Sequence, residues 1–129
     1  MPGIAPERGT GNYRSWGESQ IALMLENQRI PYFHEYPVGV VDGGKTRLWY
    51  PDFRLADYGV LVEYCGMAGK PDYDAGMEKK KLVYRENGMP ALMLKPDYFR
   101  GNWPKRLLDE VEKTLQGRLD SYRKLRYGR

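Results

Sequence analysis

The sequence holds one cysteine, Cys65, and one histidine, His34, among its 129 residues. Those counts exclude an internal disulfide, a cysteine-rich zinc site and a pair of histidines at zinc-ligand spacing. No apolar run approaches the roughly 20 residues a membrane span needs. The opening stretch MPGIAPERGTG has no apolar segment of the secretory kind. A soluble protein of a reducing, cytoplasmic compartment is the expectation. A Gly-rich phosphate loop is missing as well. The triplet Gly9-Thr10-Gly11 precedes the first predicted helix with no strand ahead of it, so a dinucleotide-binding reading fails. No Cys-His or Ser-His spacing supports His34, which is assigned no catalytic role. Excess charge is absent too from most of the chain. The net charge is +4, but residues 118–129 alone hold five bases and one acid. The first 117 residues are therefore neutral, which excludes a protein that coats nucleic acid by uniform positive charge.

What is present is a folding composition: 41% apolar residues and 17 aromatics (3 Trp, 11 Tyr, 3 Phe). The length suits one domain with one modest core. Its divisions are an arm at 1–14, a core at 15–100 and a C-terminal helix at 102–127. Apolar spacing at Ile21, Leu23, Met24 and Leu25 predicts a helix over 16–28, with Ser15 and Glu18 as a capping box and Pro31 as the stop. Residues 32–41 read as a strand, Asp42-Gly43-Gly44-Lys45 as a hairpin turn and 46–55 as the return strand. After a turn at 57–59, the run GVLVEY over 59–64 predicts a strand covered on both faces. A loop at 65–72 leads to a helix over 73–87, closed by Gly88. A short buried strand at 91–95 and a helix from about 103 to 126 complete the chain. The order α, β, β, β, α, β, α implies an α/β fold with a mixed sheet flanked by helices. The hairpin is antiparallel in this reading, and the strands joined by the second helix are parallel.

Two carboxylates stand out. Glu63 ends an otherwise apolar strand, where a charge loses water unless something compensates it. Asp52 lies in YPDF, late in the return strand, and Pro51 marks that strand as an edge or a bulge. Adjacent strands lie about 4.8 Å apart, so both carboxylates can converge on one hard cation, Mg²⁺ or Mn²⁺. In the helix over 73–87, Tyr73, Met77 and Tyr84 share a face. Lys80 lies roughly 40° and Lys81 roughly 60° from that direction, and Lys79 points away. Lys80 or Lys81 therefore flanks the buried face, while Lys79 reads as solvated. Glu18 reads first as a cap; its helix packs on the sheet, so its carboxylate can also point towards the cation.

The order Glu18, Pro51-Asp52, Glu63-Tyr64-Cys65 resembles the PD-(D/E)XK nuclease superfamily, whose αβββαβ core matches the predicted element order. The resemblance covers roughly residues 15–97. Glu63, Gly66, Lys80 and Tyr84 look like those branches in which an E-x-x-G turn leads into a helix carrying K-x-x-x-Y. The superfamily lysine normally stands two residues after the acid; here that place is Cys65, a neutral thiol. The resemblance implies that Lys80, with Lys81 as second choice, replaces it from the following helix. It also implies a restriction-endonuclease-like fold and Mg²⁺- or Mn²⁺-dependent hydrolysis of DNA phosphodiesters. Asp52 and Glu63 would hold the metal together with a main-chain carbonyl of Tyr64 or Cys65. Lys80 would orient the attacking water, and Glu18 would hold a water or a second metal.

Arg8 and Arg14, Lys81, and the cluster Arg118, Arg123, Lys124 and Arg126 are the candidate DNA contacts. The last cluster is interleaved by Tyr122 and Tyr127 and reads as a phosphate grip beside the metal site, with little sequence readout. The small size favours structure-selective or nicking activity. Holliday-junction resolution by a homodimer is one form of it, and recruitment by a partner protein another. A degenerate nucleic-acid-binding module is the competing reading, motivated by Cys65. A cellular, a phage and a mobile-element origin are all compatible with such a protein.

Overall fold

The computed structural model describes residue 13 and residues 15–127, with side chains as far as 125. The proposed contacts Arg8 and Arg14, and the side chain of Arg126, lie outside the described residues.

Helix α1 spans Trp16–Asn27. Ser15 caps it: its hydroxyl accepts the Glu18 N–H at 3.2 Å. The chain leaves α1 through Arg29, which is left-handed at φ 56°, while the Ile30 N–H returns to the Leu25 carbonyl at 2.9 Å. That closure ends the helix before Pro31 is reached. The predicted strand over 32–41 is broken into β1 (Phe33–His34) and β2 (Val38–Asp42). The break falls at Glu35, with φ 54°, and at Pro37. The return strand over 46–55 is likewise split, into β3 (Lys45–Trp49) and β4 (Phe53–Leu55), because Pro51 has no N–H for a ladder. Strand β5 spans Val60–Tyr64, α2 Pro71–Glu86, β6 Ala91–Leu94 and α3 Trp103–Tyr127. A 3₁₀ turn at Pro96–Tyr98 stands between the last two. Helix α2 begins two residues earlier than its periodicity suggests, since Pro71 occupies its first turn.

Among the described residues the fold is mixed α/β, with three α-helices and a mixed four-stranded sheet in the order β1-β4-β5-β6. β1–β4 and β4–β5 are antiparallel and β5–β6 is parallel. The hairpin β2–β3 forms a separate two-stranded sheet and does not enter the main one. Its turn carries Gly43 at φ 58° and Gly44 at φ 81°, the pair of positive angles a two-residue hairpin demands. Asn87 ties the hairpin to α2. Its amide receives the Val41 N–H at 2.9 Å and donates to the Val41 carbonyl at 3.1 Å, and the same residue ends α2.

Strand β5 is buried on both faces, as its apolar run predicts. Side chains alternate across a strand, and here they separate two cores. Val62 points towards α1 and α3, joining Ile21, Leu25, Phe53, Leu55, Leu107 and Val111. Leu61 points towards α2 and the hairpin, joining Val38, Val40, Val83 and Tyr84. Glu63, two residues after Leu61, lies on the α2 side. No described helix is long and apolar enough to cross a membrane.

Candidate active site

Asp52 does not lie late in its strand as expected. It immediately precedes β4. Because β4 runs antiparallel to β5, with Phe53 opposite Val62, the start of β4 faces the end of β5 and brings Asp52 to Glu63. Two parallel neighbours would have required both acids at the same end; the observed pair reaches the same place by the opposite route. Asp52 Oδ2 accepts the Tyr64 N–H at 2.8 Å, and the two carboxyl groups lie close enough to act on each other's protonation.

Both acids are withdrawn from water, with Glu63 only 3% exposed. Burial, reinforced by the Glu63 carboxylate, pushes the Asp52 carboxyl up to about 7. Burial also raises Glu63, against the opposing pull of Lys80 and the Tyr84 hydroxyl. Tyr84, fully buried, donates to Glu63 Oε2 at 3.0 Å, and Lys80 Nζ stands 3.8 Å from the same oxygen. One turn of α2 separates Lys80 from Tyr84, so a single helix face delivers both groups to one carboxylate.

The three lysines of α2 diverge. Lys79 turns to the hairpin, with Nζ 3.6 Å from Asp42 Oδ2, and stays 64% exposed. Lys81 lies on an outer surface with Glu78, Leu82 and Arg85. Lys80 alone of the three pairs with Glu63. Cys65 is buried, and its thiol is pushed up to about 11 by burial and by the neighbouring acids. It is therefore a neutral thiol at physiological pH, unsuited to ligate a hard cation. Its carbonyl accepts the Ala68 N–H at 3.2 Å, and its N–H donates to Leu94 at 2.7 Å.

Glu18 occupies a neighbouring place. Its N–H is capped by Ser15, but its carboxylate does not return to complete a capping box; Oε1 stands 3.3 Å from His34 Nε2. It remains close enough to Asp52 to raise that group's proton affinity. With Glu35, these residues form the one group among the described residues in which three such ligand atoms lie within 4.8 Å of one another. His34, to which its spacing assigns no catalytic role, meets Glu18 here. Its partner is 16 positions away, and no local pattern announces it. Close approach of α1 depends on Gly17, where a Cβ would come 2.3 Å from the Tyr64 ring.

The C-terminal basic cluster is displaced from its expected position. Arg118 donates to the Gly88 carbonyl at 2.7 Å and lies against Gly59. Those glycines precede β6 and β5, so Arg118 marks the end of the sheet opposite to Glu63. Four residues of extended strand put it about 13 Å or more from the acids. Arg123 and Lys124 follow on exposed turns further along α3.

No family model, no curated protein and no solved structure matches this chain.

Proposed function

We propose that the chain is a Mg²⁺-dependent DNA endonuclease, a hydrolase with a restriction-endonuclease-like core of the PD-(D/E)XK type. Its activity is structure-selective or nicking. The observation that carries the reading is the convergence of Asp52, Glu63 and Lys80, with Tyr84 behind them. Two neighbouring carboxyl groups held out of water, with one ammonium nearby, form an oxygen donor set with an unmet demand for positive charge. That suits a hard divalent ion, Mg²⁺ or Mn²⁺. A metal-free structural ion pair would balance one acid with one base; here a second buried acid remains.

Asp52 and Glu63 would hold the ion, with a main-chain carbonyl of Tyr64 or Cys65 as a further ligand. When bound, such an ion polarises the phosphoryl oxygen and lowers the pKa of a coordinated water. The chain's own groups do the rest. The Tyr64 N–H and the Tyr84 hydroxyl fix the two carboxylates by one oxygen each. Lys80, 3.8 Å from Glu63, orients the attacking water and offsets charge developing on the phosphate. This assigns to α2 the lysine whose usual place, immediately after β5, is taken by Cys65, and it favours an active enzyme over a silent binding module. Glu18, engaged with His34, acts on Asp52 from the side.

The test is cleavage of supercoiled, linear and four-way-junction DNA with Mg²⁺ or Mn²⁺. Asp52→Asn and Glu63→Gln are each expected to reduce cleavage at least about 100-fold. Cleavage that survives both substitutions overturns the assignment. Metal-dependent cleavage absent from every substrate, with DNA binding retained, supports the binding-module alternative.

A further inference from the structure

We propose that an aromatic and basic surface at the C-terminal end of β5, on the α1/α3 side of the sheet, holds an unpaired DNA strand. The inference rests on the nuclease reading for its choice of DNA, and its test is separable from it.

The surface begins at Tyr64, next in the chain to Glu63. The Tyr64 ring packs on Phe99 at 5.7 Å between centroids. Phe99 in turn meets Trp16 at 5.4 Å and Trp103 at 4.8 Å, both edge to face. Four aromatic side chains, from β5, the start of α1, the end of the 96–98 turn and the start of α3, thus form one cluster centred on Phe99. Trp16 is its open member, 60% exposed, an unusual degree for an indole with a core nearby. Beyond Trp103 lies a groove of about 280 Å³ lined by Gln20, Leu23, Asn27 and Gln28. Its carboxamides offer both donors and acceptors to the edge of an unpaired base.

Charge follows the same path. Residues 95–106 (KPDYFRGNWPKR) hold four bases and one acid, a concentration hidden by the neutrality of the first 117 residues. Lys95 follows Leu94, the partner of Tyr64 in the sheet, and lies close enough to bear on the Cys65 thiol. Lys95 and Arg100 are exposed and have no ion-pair partner among the described residues. Arg106 stacks over Tyr98 at 5.2 Å and donates to its carbonyl, while Lys105 is paired with Asp109 at 3.1 Å. Stacking faces flanked by cations are the two components by which proteins hold single strands without reading sequence. A duplex keeps its base faces covered and cannot use the first component.

The experiment is equilibrium binding of fluorescent single-stranded and duplex DNA of equal length, and of the same strand as RNA, to the full chain in EDTA. Wild type is expected to prefer the single DNA strand, with quenching of tryptophan emission. Trp16→Ala should weaken that binding by about 5- to 150-fold, the range for loss of one stacking partner, and leave duplex binding within twofold. Trp16→Phe should restore most of the loss. Lys95→Ala with Arg100→Ala should flatten the dependence of log K on log salt by about 1.4. Circular dichroism on each variant excludes unfolding. Duplex binding as tight as single-strand binding, preference for RNA, or a Trp16→Ala affinity within twofold of wild type overturns the proposal. Because EDTA removes cleavage from the readout, failure here leaves the Mg²⁺-dependent activity to be judged by its own assay, and the converse holds.

Discussion

Removing the Asp52 charge should stabilise the metal-free protein, and the amount is set by its burial. The carboxyl titrates near 3.8 when unfolded and near 7 when folded. Between those values the folded chain holds a proton that the unfolded chain has released. Stability is therefore full below about pH 3.8, falls as pH rises, and levels off above about pH 7. One proton gives a slope of about 1.4 kcal/mol per pH unit. Across the interval the loss reaches about 4 kcal/mol, a large share of the 5–15 kcal/mol typical of a domain. Asp52→Asn abolishes this contribution while its amide oxygen can still accept the Tyr64 N–H. Urea denaturation in EDTA at half-unit steps from pH 4 to 8 measures it. The variant should match wild type near pH 4 and exceed it by up to about 4 kcal/mol at pH 8. Burial of Glu63 leaves part of the slope in both proteins. Mg²⁺ at 100 times its dissociation constant should return about 2.7 kcal/mol to wild type at pH 8 and much less to the variant. A wild-type stability that stays flat or rises from pH 5 to 7, or equal slopes in the two proteins, refutes the reasoning.

Lys80→Met should abolish cleavage and raise the proton affinity of Glu63 further, visible as a steeper loss of stability with pH; Lys81→Met should leave both unchanged. Tyr84→Phe removes a buried hydroxyl from a carboxylate and should cost about 1.5–3 kcal/mol in urea denaturation, together with a fall in cleavage rate. Gly17→Ala drives a methyl into the Tyr64 ring and should cost about 1–3 kcal/mol; a melting temperature within a degree of wild type contradicts the close approach of α1.

Element order, the Gly-Gly turn, the doubly covered β5 and the separation of Lys80 from Lys79 were legible in the residues, because each follows from local periodicity. Pairing was not. Residues 46–55 look like one strand, and only the tertiary fold reveals that Trp49 belongs to a detached hairpin while Phe53 belongs to the main sheet. The convergence of Asp52 and Glu63 was anticipated, but from the wrong end of the strand, since antiparallel register has no signature within either segment. The Glu18–His34 contact escaped for the same reason. The basic tail was misplaced because net charge carries no direction; α3 starts near the Tyr64 end of β5 and brings Arg118 to the opposite end, at Gly59 and Gly88. The bases concentrated in 95–106 were masked by compensating acids elsewhere.

Asn87 has a consequence beyond joining α2 to the hairpin. An outer strand of a small, partly apolar ribbon exposes a row of amides that another molecule can extend, the first step towards intermolecular sheets. Val41 is 54% exposed and lies on that rim. By taking its N–H and carbonyl together, one side-chain amide imitates the missing neighbour strand and leaves an incoming chain nothing to pair with there. Asn87→Ala would reopen this template without touching the acid pair, so its signature would be self-association on storage at high protein concentration.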